Sequence, residues 1–326
     1  MDKEAIISPT GQPGYFSGTG PRGAALIMVL ASLLALSVVV LGVSEKTARQ
    51  SRNASLLLLE YRSSLLARAG LEVGLDLLAN MSDYPAGPVH KVQSFVWRER
   101  GLSVSIFPCA AKLNLSRLGR TGPSGQRKEN AVLEVLAGAG LSAAEMNYLL
   151  HWSGVYGTEG PGDSPQEVYE FYALDNLEYS PPGRTLARPE ELMLIPGFEE
   201  IKPEWIRQYF TVWGDQTGID INFADKITAL ALLPELEPYW ERLDSFRQTR
   251  VITHPNQLLT EMGLDIVTYN TVLPYIILEP ELFEIIIEVR EGSWYEKHRY
   301  IVRKDIINPG HKPLVLVRDI LETKPL

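Results

Sequence analysis

An uninterrupted apolar run at residues 24–43 constrains this chain more than any other feature of its sequence. The run, AALIMVLASLLALSVVVLGV, carries no charged side chain. About 20 such residues, each rising about 1.5 Å in a helix, span a bilayer core of about 30 Å. A cleaved secretory signal has a shorter apolar region, and no good small-x-small cleavage site follows before Glu45. The run therefore predicts a retained transmembrane helix, while basic residues on both sides leave its orientation open.

The helical pattern continues beyond the apolar run. No proline occurs between Pro21 and Pro85, so one helix can extend from Ala24 to about Asn80, a length of about 85 Å. Its outer half carries an apolar stripe at mixed three- and four-residue steps. The stripe consists of Leu58, Tyr61, Leu65, Leu66, Ala69, Val73 and Leu77. We expect it to pack against a folded domain.

Strand patterns follow this helix and return at the end of the chain. Residues 93–98 and 102–107 alternate apolar with polar side chains or carry β-branched residues, and residues 99–101 form a tight turn between them. Three more strands are predicted at residues 283–289, 297–303 and 313–318, with turns at 291–292 and 308–310. Helical segments lie between the two groups, at residues 129–139, 143–153, 189–193, 203–212 and 234–244.

These patterns predict the α+β fold class, with an antiparallel sheet interrupted by a large α-helical insertion. The discontinuous sheet domain comprises residues 44–118 and 279–326, and the inserted domain comprises residues 119–278. Residues 154–188 are rich in Gly, Pro, Asp and Glu, which predicts an exposed irregular loop. Convergent acidic side chains there could hold calcium, but the spacing of a calcium-binding loop is absent, so a solvated loop is the preferred interpretation.

Composition and motifs argue against catalysis and against a cofactor or metal site. Cys109 is the only cysteine, which excludes an internal disulfide and a thiolate zinc cluster, and we expect it to be buried. The five histidines form no H-E-x-x-H pair, and no G-x-S-x-G elbow occurs. Gly18, Gly20 and Gly23 match the spacing of a dinucleotide-binding loop, but they follow no strand and open a membrane helix. We therefore predict no catalytic residue, no metal ligand and no cofactor.

Residues 22–30, RGAALIMVL, resemble a type III prepilin signal, in which a prepilin peptidase cuts after the glycine. By this resemblance residues 1–23 are a leader, and Gly23 and Ala24 flank the cleavage site. Met28 then occupies the fifth mature position, where most pilins carry glutamate. That departure is typical of the minor pseudopilin K family of type II secretion, general secretion pathway protein K, which this chain resembles.

Three further segments extend the resemblance over nearly the whole chain from Arg22. Residues 112–115 (KLNL) resemble the family's G-x-Leu-Asn-Leu-Asn element, residues 190–198 (EELMLIPGF) its Glu-Leu…Ile-x-Gly element, and residues 218–222 (GIDIN) its Ile-Asn-Ile-Asn element. Asp220 and Ser116 each replace an asparagine of these elements. Residues 151–154 (HWSG) stand where the family has an Asp-Trp-Ile-Asp run, and this departure argues against the calcium binding known in some members.

The resemblance implies a pilin-like domain with a helical insertion, a single-pass anchor in the bacterial inner membrane and the bulk of the chain in the periplasm. It also implies a structural subunit at the tip of the pseudopilus that supports protein export. Its partners would be the prepilin peptidase and minor pseudopilins I and J. The helix face that packs against those subunits would consist of Leu65, Leu66, Ala69 and Val73. A second interpretation, equally open, is that this stripe packs only on the subunit's own sheet.

Residues 194–198 and 219–233 also resemble the helix-hairpin-helix modules of DNA-uptake proteins, whose hairpin amides bind phosphate. The alternative function is therefore that of a membrane-anchored DNA-binding or DNA-uptake pilin-like protein. However, Glu199 and Glu200 follow the hairpin and oppose the charge of a phosphate, and the net charge of the chain is −9. We expect the hairpin to serve protein packing, with no nucleic-acid partner.

Overall fold

A computed structural model describes residues 22–80, 93–97, 100–119, 123–155, 181–214, 217–305 and 311–325. The chain divides into two compact units, residues 1–60 and residues 61–326. Helix α1 (Arg22–Ala79) is continuous, which confirms the long helix expected from the sequence. In the first unit, residues 24–58 of this helix are exposed throughout. By length and composition the helix is apolar enough to cross a membrane.

The second unit contains the remaining elements in a mixed order of strands and helices. The strands are β1 (Gln93–Trp97), β2 (Arg100–Pro108), β3 (Leu113–Asn114), β4 (Phe210–Thr211), β5 (Ile219–Asp220), β6 (Ile276–Ile277), β7 (Leu282–Glu291), β8 (Trp294–Arg303) and β9 (Leu314–Pro325). The α-helices are α2 (Pro123–Gly138), α3 (Ala143–Trp152), α4 (Pro203–Tyr209), α5 (Lys226–Leu232), α6 (Trp240–Arg247), α7 (Gln257–Thr260) and α8 (Ile266–Val272). Short 3-10 helices cover Cys109–Ala111, Leu115–Arg117, Pro189–Leu194, Pro234–Tyr239 and Leu273–Tyr275.

The main sheet is antiparallel, with the strand order β1-β2-β7-β8-β9. Strands from both ends of the chain therefore lie side by side, and Val104 of β2 pairs with Ile287 of β7. This arrangement confirms the predicted α+β class, including the hairpin of β1 and β2. Strands β7 to β9 each extend beyond their predicted limits.

One face of this sheet packs against the end of α1, residues 61–79. Buried leucines and alanine of the helix meet alternate residues of β2, β7 and β8; the cluster comprises Leu66, Ala67, Leu75, Leu78, Val104, Phe283, Ile285, Ile287, Val289, Tyr300 and Val302. Glycines bring the backbones close together, since a Cβ added at Gly70 would lie 2.9 Å from Ile287. A Cβ added at Gly74 would lie 3.0 Å from Ile285. These positions explain why glycine, a poor helix former, stands inside α1.

The chain between β2 and β7 builds a separate core of its own. Its buried residues run from Leu113 to Val272 and include the fully buried Leu192, Ile195 and Phe198. Two short parallel strand pairs, β3 with β4 and β5 with β6, close this region.

The predicted helix limits in the insertion hold best at α3, which begins with a capping box between Ser142 and Glu145. At residues 234–244 a proline changes the type of helix that forms. Residues 234–244 were expected to form one helix, but Pro234–Tyr239 is a 3-10 helix, because Pro238 lacks the amide that an α-helix needs there. The short helices α5, α7 and α8 were not predicted, and α4 ends at Tyr209, where the chain continues as β4.

Some expectations fall outside the described residues. These are the leader up to residue 21, residue 98 of the first predicted strand, residue 99 of the first predicted turn, the turn at 308–310 and residues 156–180 of the predicted loop.

Candidate assembly interface on helix α1 and its supports

The structure separates the four residues that were predicted to form one partner-facing helix face. Leu65 is 50% exposed and Ala69 is also exposed, whereas Leu66 is only 7% exposed and belongs to the core beneath the helix. Val73 is half-buried between these two sides. Successive helix residues differ in direction by about 100°, so adjacent Leu65 and Leu66 cannot share a face. Leu66 is therefore removed from the candidate interface.

The outer face of α1 in the second unit carries Tyr61, Leu65 and Ala69 at four-residue spacing, all exposed. The interpretation that the whole stripe packs only on the chain's own sheet is wrong, because Leu65 and Ala69 lie outside that core. The inner face uses another set of small and apolar residues, centred on Ser63, Ala67 and Gly70. This division leaves an apolar outer face on a helix whose inner face is packed against the sheet.

A buried polar group fixes the inner face in place. Ser63 Oγ donates a hydrogen bond of 2.7 Å to Glu296 Oε2 in β8, and both residues are buried. Trp294 Nε1 donates to Glu296 Oε1 at 3.0 Å, and His298 Nε2 lies 2.9 Å from Oε2. Burial raises the pKa of Glu296, but the hydrogen bonds from Ser63, Trp294 and His298 outweigh it and leave the pKa below its ordinary value.

The opposite face of the sheet is joined to the helical insertion by ion pairs. Arg299 of β8, almost fully buried, contacts Glu190 of the insertion at 2.8 Å and Asp319 of β9 at 2.8 Å. Arg207 of α4 also binds Glu190, at 2.8 Å. Lys112 forms an ion pair with Glu284 of β7 on the same side. We call Arg299, Arg207, Lys112, Glu190, Asp319 and Glu284 the ion cluster.

Charge compensation in the ion cluster is close to complete. Burial alone would raise the pKa of Glu190, but the nearby charges and hydrogen bonds of Arg299 and Arg207 lower it. Burial alone would lower the pKa of Arg299, but the carboxylates of Glu190, Asp319 and Glu284 raise it. The insertion and the sheet are thus held together by arginines and carboxylates, and each of these groups can stay charged in a buried position only because its partner is present.

The segments that carry the family resemblance serve structural roles. Asn114 Oδ1 accepts a hydrogen bond from the amide of Ser116 at 2.8 Å, and its Nδ2 donates to Gly214 O at 2.7 Å. Asn222 forms two hydrogen bonds with the backbone of Ile252. Its Nδ2 donates to Ile252 O at 3.0 Å, and its Oδ1 accepts from the Ile252 amide at 2.8 Å. Each asparagine therefore ties one loop of the insertion to another by satisfying backbone groups.

Asp220, which stands where the family pattern has asparagine, is completely buried. Its Oδ1 accepts a hydrogen bond from the amide of Asn222 at 3.0 Å. Its Oδ2 has no hydrogen-bond partner within the described part of the chain. Burial raises the pKa of Asp220 well above its ordinary value, against the weaker effects of the Asn222 amide and Arg247.

The hairpin that resembles a phosphate-binding module is lined by acidic groups. Gly197 has a φ of +86°, and a Cβ there would lie 2.5 Å from Glu145 Oε1. The cavity beside it has a volume of about 610 Å³ and is lined by Glu145, Glu199, Glu200 and Lys202 among others. Three carboxylates face one ammonium group, which disfavours a bound phosphate.

The remaining predicted site residues lie at the beginning of α1. Gly23 and Ala24 are in its first turn, and Met28 is 70% exposed. Cys109 is buried as expected, and burial raises the pKa of its thiol to about 12. Within the described ranges, no group of three His, Cys, Asp or Glu side chains converges as metal ligands. Residues 156–180, where calcium was considered, are not among them.

No model of a known protein family matches the chain, and no curated protein matches it in sequence. A solved structure does match: the crystal structure of the GspK–GspI–GspJ complex from the type 2 secretion system of enterotoxigenic Escherichia coli. The match, to GspK, covers 80% of this chain and 96% of that chain, with a TM-score of 0.57 and 13% sequence identity.

The chain has the GspK fold. This finding confirms the family resemblance at the level of structure: a long apolar N-terminal helix, an antiparallel sheet and further helices. The GspK match rests on the fold, because few identical residues accompany it.

Sequence reasoning missed the residues that hold the GspK-like fold together. Ser63, Glu296 and Arg299 were not singled out, because polar residues in amphipathic patterns are ordinarily solvated. One signal was available: on the helix-facing side of β8, the polar residues Glu296 and His298 stand between the aromatic residues Trp294 and Tyr300. A buried polar position in a strand requires a partner, and Ser63 is that partner for Glu296.

Proposed function

We propose that this chain is a structural minor pseudopilin of a type II secretion system, anchored in the bacterial inner membrane with the bulk of the chain in the periplasm. The observation that carries the proposal is the exposed outer face of α1, with Tyr61, Leu65 and Ala69, on a helix whose inner face is fixed by Ser63. The matched GspK occurs in a complex with GspI and GspJ. Subunits of the I and J type are therefore the proposed partners of this face.

The membrane anchor is the apolar part of α1, residues 24–43, after removal of the leader by a prepilin peptidase between Gly23 and Ala24. Met28 supports a place at the tip. In pilin-like filaments a carboxylate at this position is thought to compensate the free N-terminal amine of a neighbouring subunit inside the apolar core. The thioether of Met28 cannot compensate that amine. This subunit therefore does not need a neighbouring subunit whose N-terminal amine lies beside Met28.

The helical insertion supports the same placement. The ion cluster holds it against the sheet on the side away from α1, so that it adds bulk without covering the outer face of the helix. A bulky insertion held in this way blocks the addition of further subunits above it. The subunit thereby supports pseudopilus assembly and protein export as a structural component, without catalysis.

The DNA-binding alternative lacks a supporting observation in the described residues. Glu145 stands beside the hairpin glycine Gly197, and Glu199 and Glu200 follow it. A filter-binding measurement at low salt tests this alternative directly. Salt-sensitive retention of DNA at micromolar protein would favour it over the secretion proposal.

The main experiment is co-purification of the full-length chain, solubilised in detergent, with candidate I and J subunits. We expect a stable ternary complex, which Leu65→Asp together with Ala69→Asp abolishes because two carboxylates then enter an apolar interface. Ile227→Asp is the matched control, since Ile227 is equally exposed but lies on α5 of the insertion. Absence of a complex with the unchanged chain would refute the proposal, and equal effects of the variants would refute the assignment of the interface.

The capping role has a separate test. The variant is a deletion of residues 119–278, in which Arg299 loses Glu190 but keeps its ion pair with Asp319. We expect longer pseudopili and reduced secretion. If pseudopilus length and secretion stay unchanged while the shortened protein accumulates normally, the insertion has no capping role.

A further inference from the structure

Strand β9 carries an unusual share of the exposed apolar side chains. Leu314, Val315, Leu316 and Ile320 are all exposed large hydrophobic residues in this one strand. Leu314 pairs with Arg303 and therefore faces the opposite side of the sheet from Val315 and Ile320. Exposed apolar residues that share one surface mark a binding surface more often than scattered single residues do.

The strand register shows which face of the sheet Val315 and Ile320 occupy. Val315 pairs with Val302 and Ile320 pairs with His298, and both of these β8 residues are buried on the side of the sheet that α1 covers. Directly paired residues point to the same face of a sheet. The α1 side of the sheet is therefore covered over β2, β7 and β8 but remains open at β9. We call Val315, Arg318 and Ile320 the β9 shelf.

The β9 shelf continues into the outer face of α1. Lys312, two residues before β9, forms an ion pair with Glu72 of α1. Glu72 lies on the same side of the helix as Leu65, because seven residues are close to two full turns. A single partner that lies along Leu65 and Ala69 thus reaches the beginning of β9.

The shelf also carries a charge. Arg318 is exposed, stands opposite Tyr300 in the register and lies over its ring at 5.9 Å. It forms no ion pair with a described carboxylate in the structure. An occupant with an acidic residue among its apolar ones would therefore complement the shelf.

We propose that the β9 shelf binds an amphipathic α-helix of a pilin-like partner subunit, placed beside α1 in the same layer. This inference rests on the proposed function. A sheet that is apolar on one face is normally covered by helices along its full width, and neighbouring helices in one layer pack 8 to 10 Å apart. The partner helix contacts Ile320 through its apolar side and Arg318 through a carboxylate.

A helix fits better than an added strand. The pairing of β8 with β9 is interrupted near Leu316 and near Leu321, where the register shifts. Bulges of this kind break the regular hydrogen-bonding edge that a partner strand would need. The side-chain surface of the shelf is not interrupted in the same way, because Arg318 and Ile320 lie within the regular stretch between the two shifts.

Site-specific photo-crosslinking in membranes that contain the full assembly tests the inference. A photoreactive residue is placed at Ile320, with Leu65 as the reference position and Val267 as the negative control, since Val267 is 72% exposed on α8. We expect Ile320 and Leu65 both to crosslink to a pseudopilin partner, and mass spectrometry to map the Ile320 product to a helix. Ile320→Asp should weaken co-purification about tenfold, while Val267→Asp leaves it unchanged.

The outcomes separate the two proposals. Crosslinking from Leu65 with none from Ile320, or a product that maps to a partner strand or to a second copy of this chain, would overturn the shelf inference and leave the proposed function intact. If neither position captures a pseudopilin, both proposals fail together. Because Ile320 is exposed, the crosslinking variant should keep the fold, and circular dichroism checks that it does.

Discussion

Ser63 on helix α1 and Glu296 on strand β8 form a buried hydrogen bond of 2.7 Å across the interface between helix and sheet. Ser63→Ala should lower the free energy of unfolding by about 1 to 3 kcal/mol, because the buried carboxylate loses a donor that nothing replaces. Ser64→Ala is the matched control, since Ser64 is the exposed neighbour. Urea unfolding followed by tryptophan fluorescence gives both values. Equal effects would show that the hydrogen bond contributes nothing.

Replacement of Asp220 by asparagine should stabilise the protein at neutral pH. The folded-state pKa of Asp220 is raised, so its unfavourable effect is absent below the unfolded value of 3.8 and grows as pH rises toward the folded pKa. Asn keeps the acceptor for the Asn222 amide and cannot ionise, so it carries no cost from the raised pKa. We expect a gain of about 1 to 3 kcal/mol at pH 7 and little change near pH 3.5, measured by urea unfolding. A loss of stability at pH 7 would contradict this account.

Arg299→Met should destabilise the protein by about 3 to 5 kcal/mol, because Glu190 and Asp319 would lose the buried cation that they share. Each would keep only one more exposed arginine, Arg207 or Arg188. Arg303→Met, on the same face of the same strand but exposed, should change stability little. The comparison is made by thermal and urea unfolding at pH 7. A similar loss in both variants would mean that the ion cluster does not hold the insertion.

Glu190 in the ion cluster and Glu296 beneath α1 together predict an acid limit. The pKa values of Glu190 and Glu296 are lowered in the folded state, so their stabilising contribution is present above about pH 4.5 and is lost as pH falls further. The Arg299→Met variant should show a flatter dependence below pH 4.5, because Glu190 loses the charge that lowers its pKa.

Gly23→Leu should leave an uncut precursor. A glycine before the scissile bond offers no side chain to obstruct the peptidase, and the uncut leader would keep Arg22, which costs about 2.5 to 3.5 kcal/mol to move into hydrocarbon. Mass spectrometry of membrane-extracted protein measures the N-terminus, with Gly20→Leu as the control that should still be cut. A mature N-terminus after Val43, or an intact Met1 in the unchanged chain despite an active peptidase, would remove the pseudopilin assignment.

The sequence predicted the long helix, the hairpin and the three final strands because each depends on a local periodicity. The apolar run of α1 and the alternation in β7, Phe283 to Val289, are such signals. Residues 113–278 were harder, because their helices are short and depend on caps and on packing. In α5 and α8 the caps are Asp225 and Asp265, which are common in loops as well.

The candidate interface was predictable only in part. Leu65 and Ala69 were identified correctly as apolar positions, but the sequence could not show which side of α1 meets the sheet. Gly70 and Gly74 decide this, because the helix approaches the sheet most closely where it has no side chain. In a sequence these glycines indicate only a weaker helix. The partner of Arg299 is Glu190, far away in the chain, and no local pattern links them.

The pairing of β2 with β7 determines the order in which parts of the newly made chain can fold. More than half of the chain lies between Val104 and Ile287, so the sheet under α1 cannot close until the last strands have been synthesised. The insertion, whose core is nearly all local to residues 113–272, can fold earlier. During that interval the glycine-lined inner face of α1 has no sheet to cover it. For the proposed pseudopilin, this means that α1 takes its place on the sheet, ready for assembly, only once the end of the chain is available.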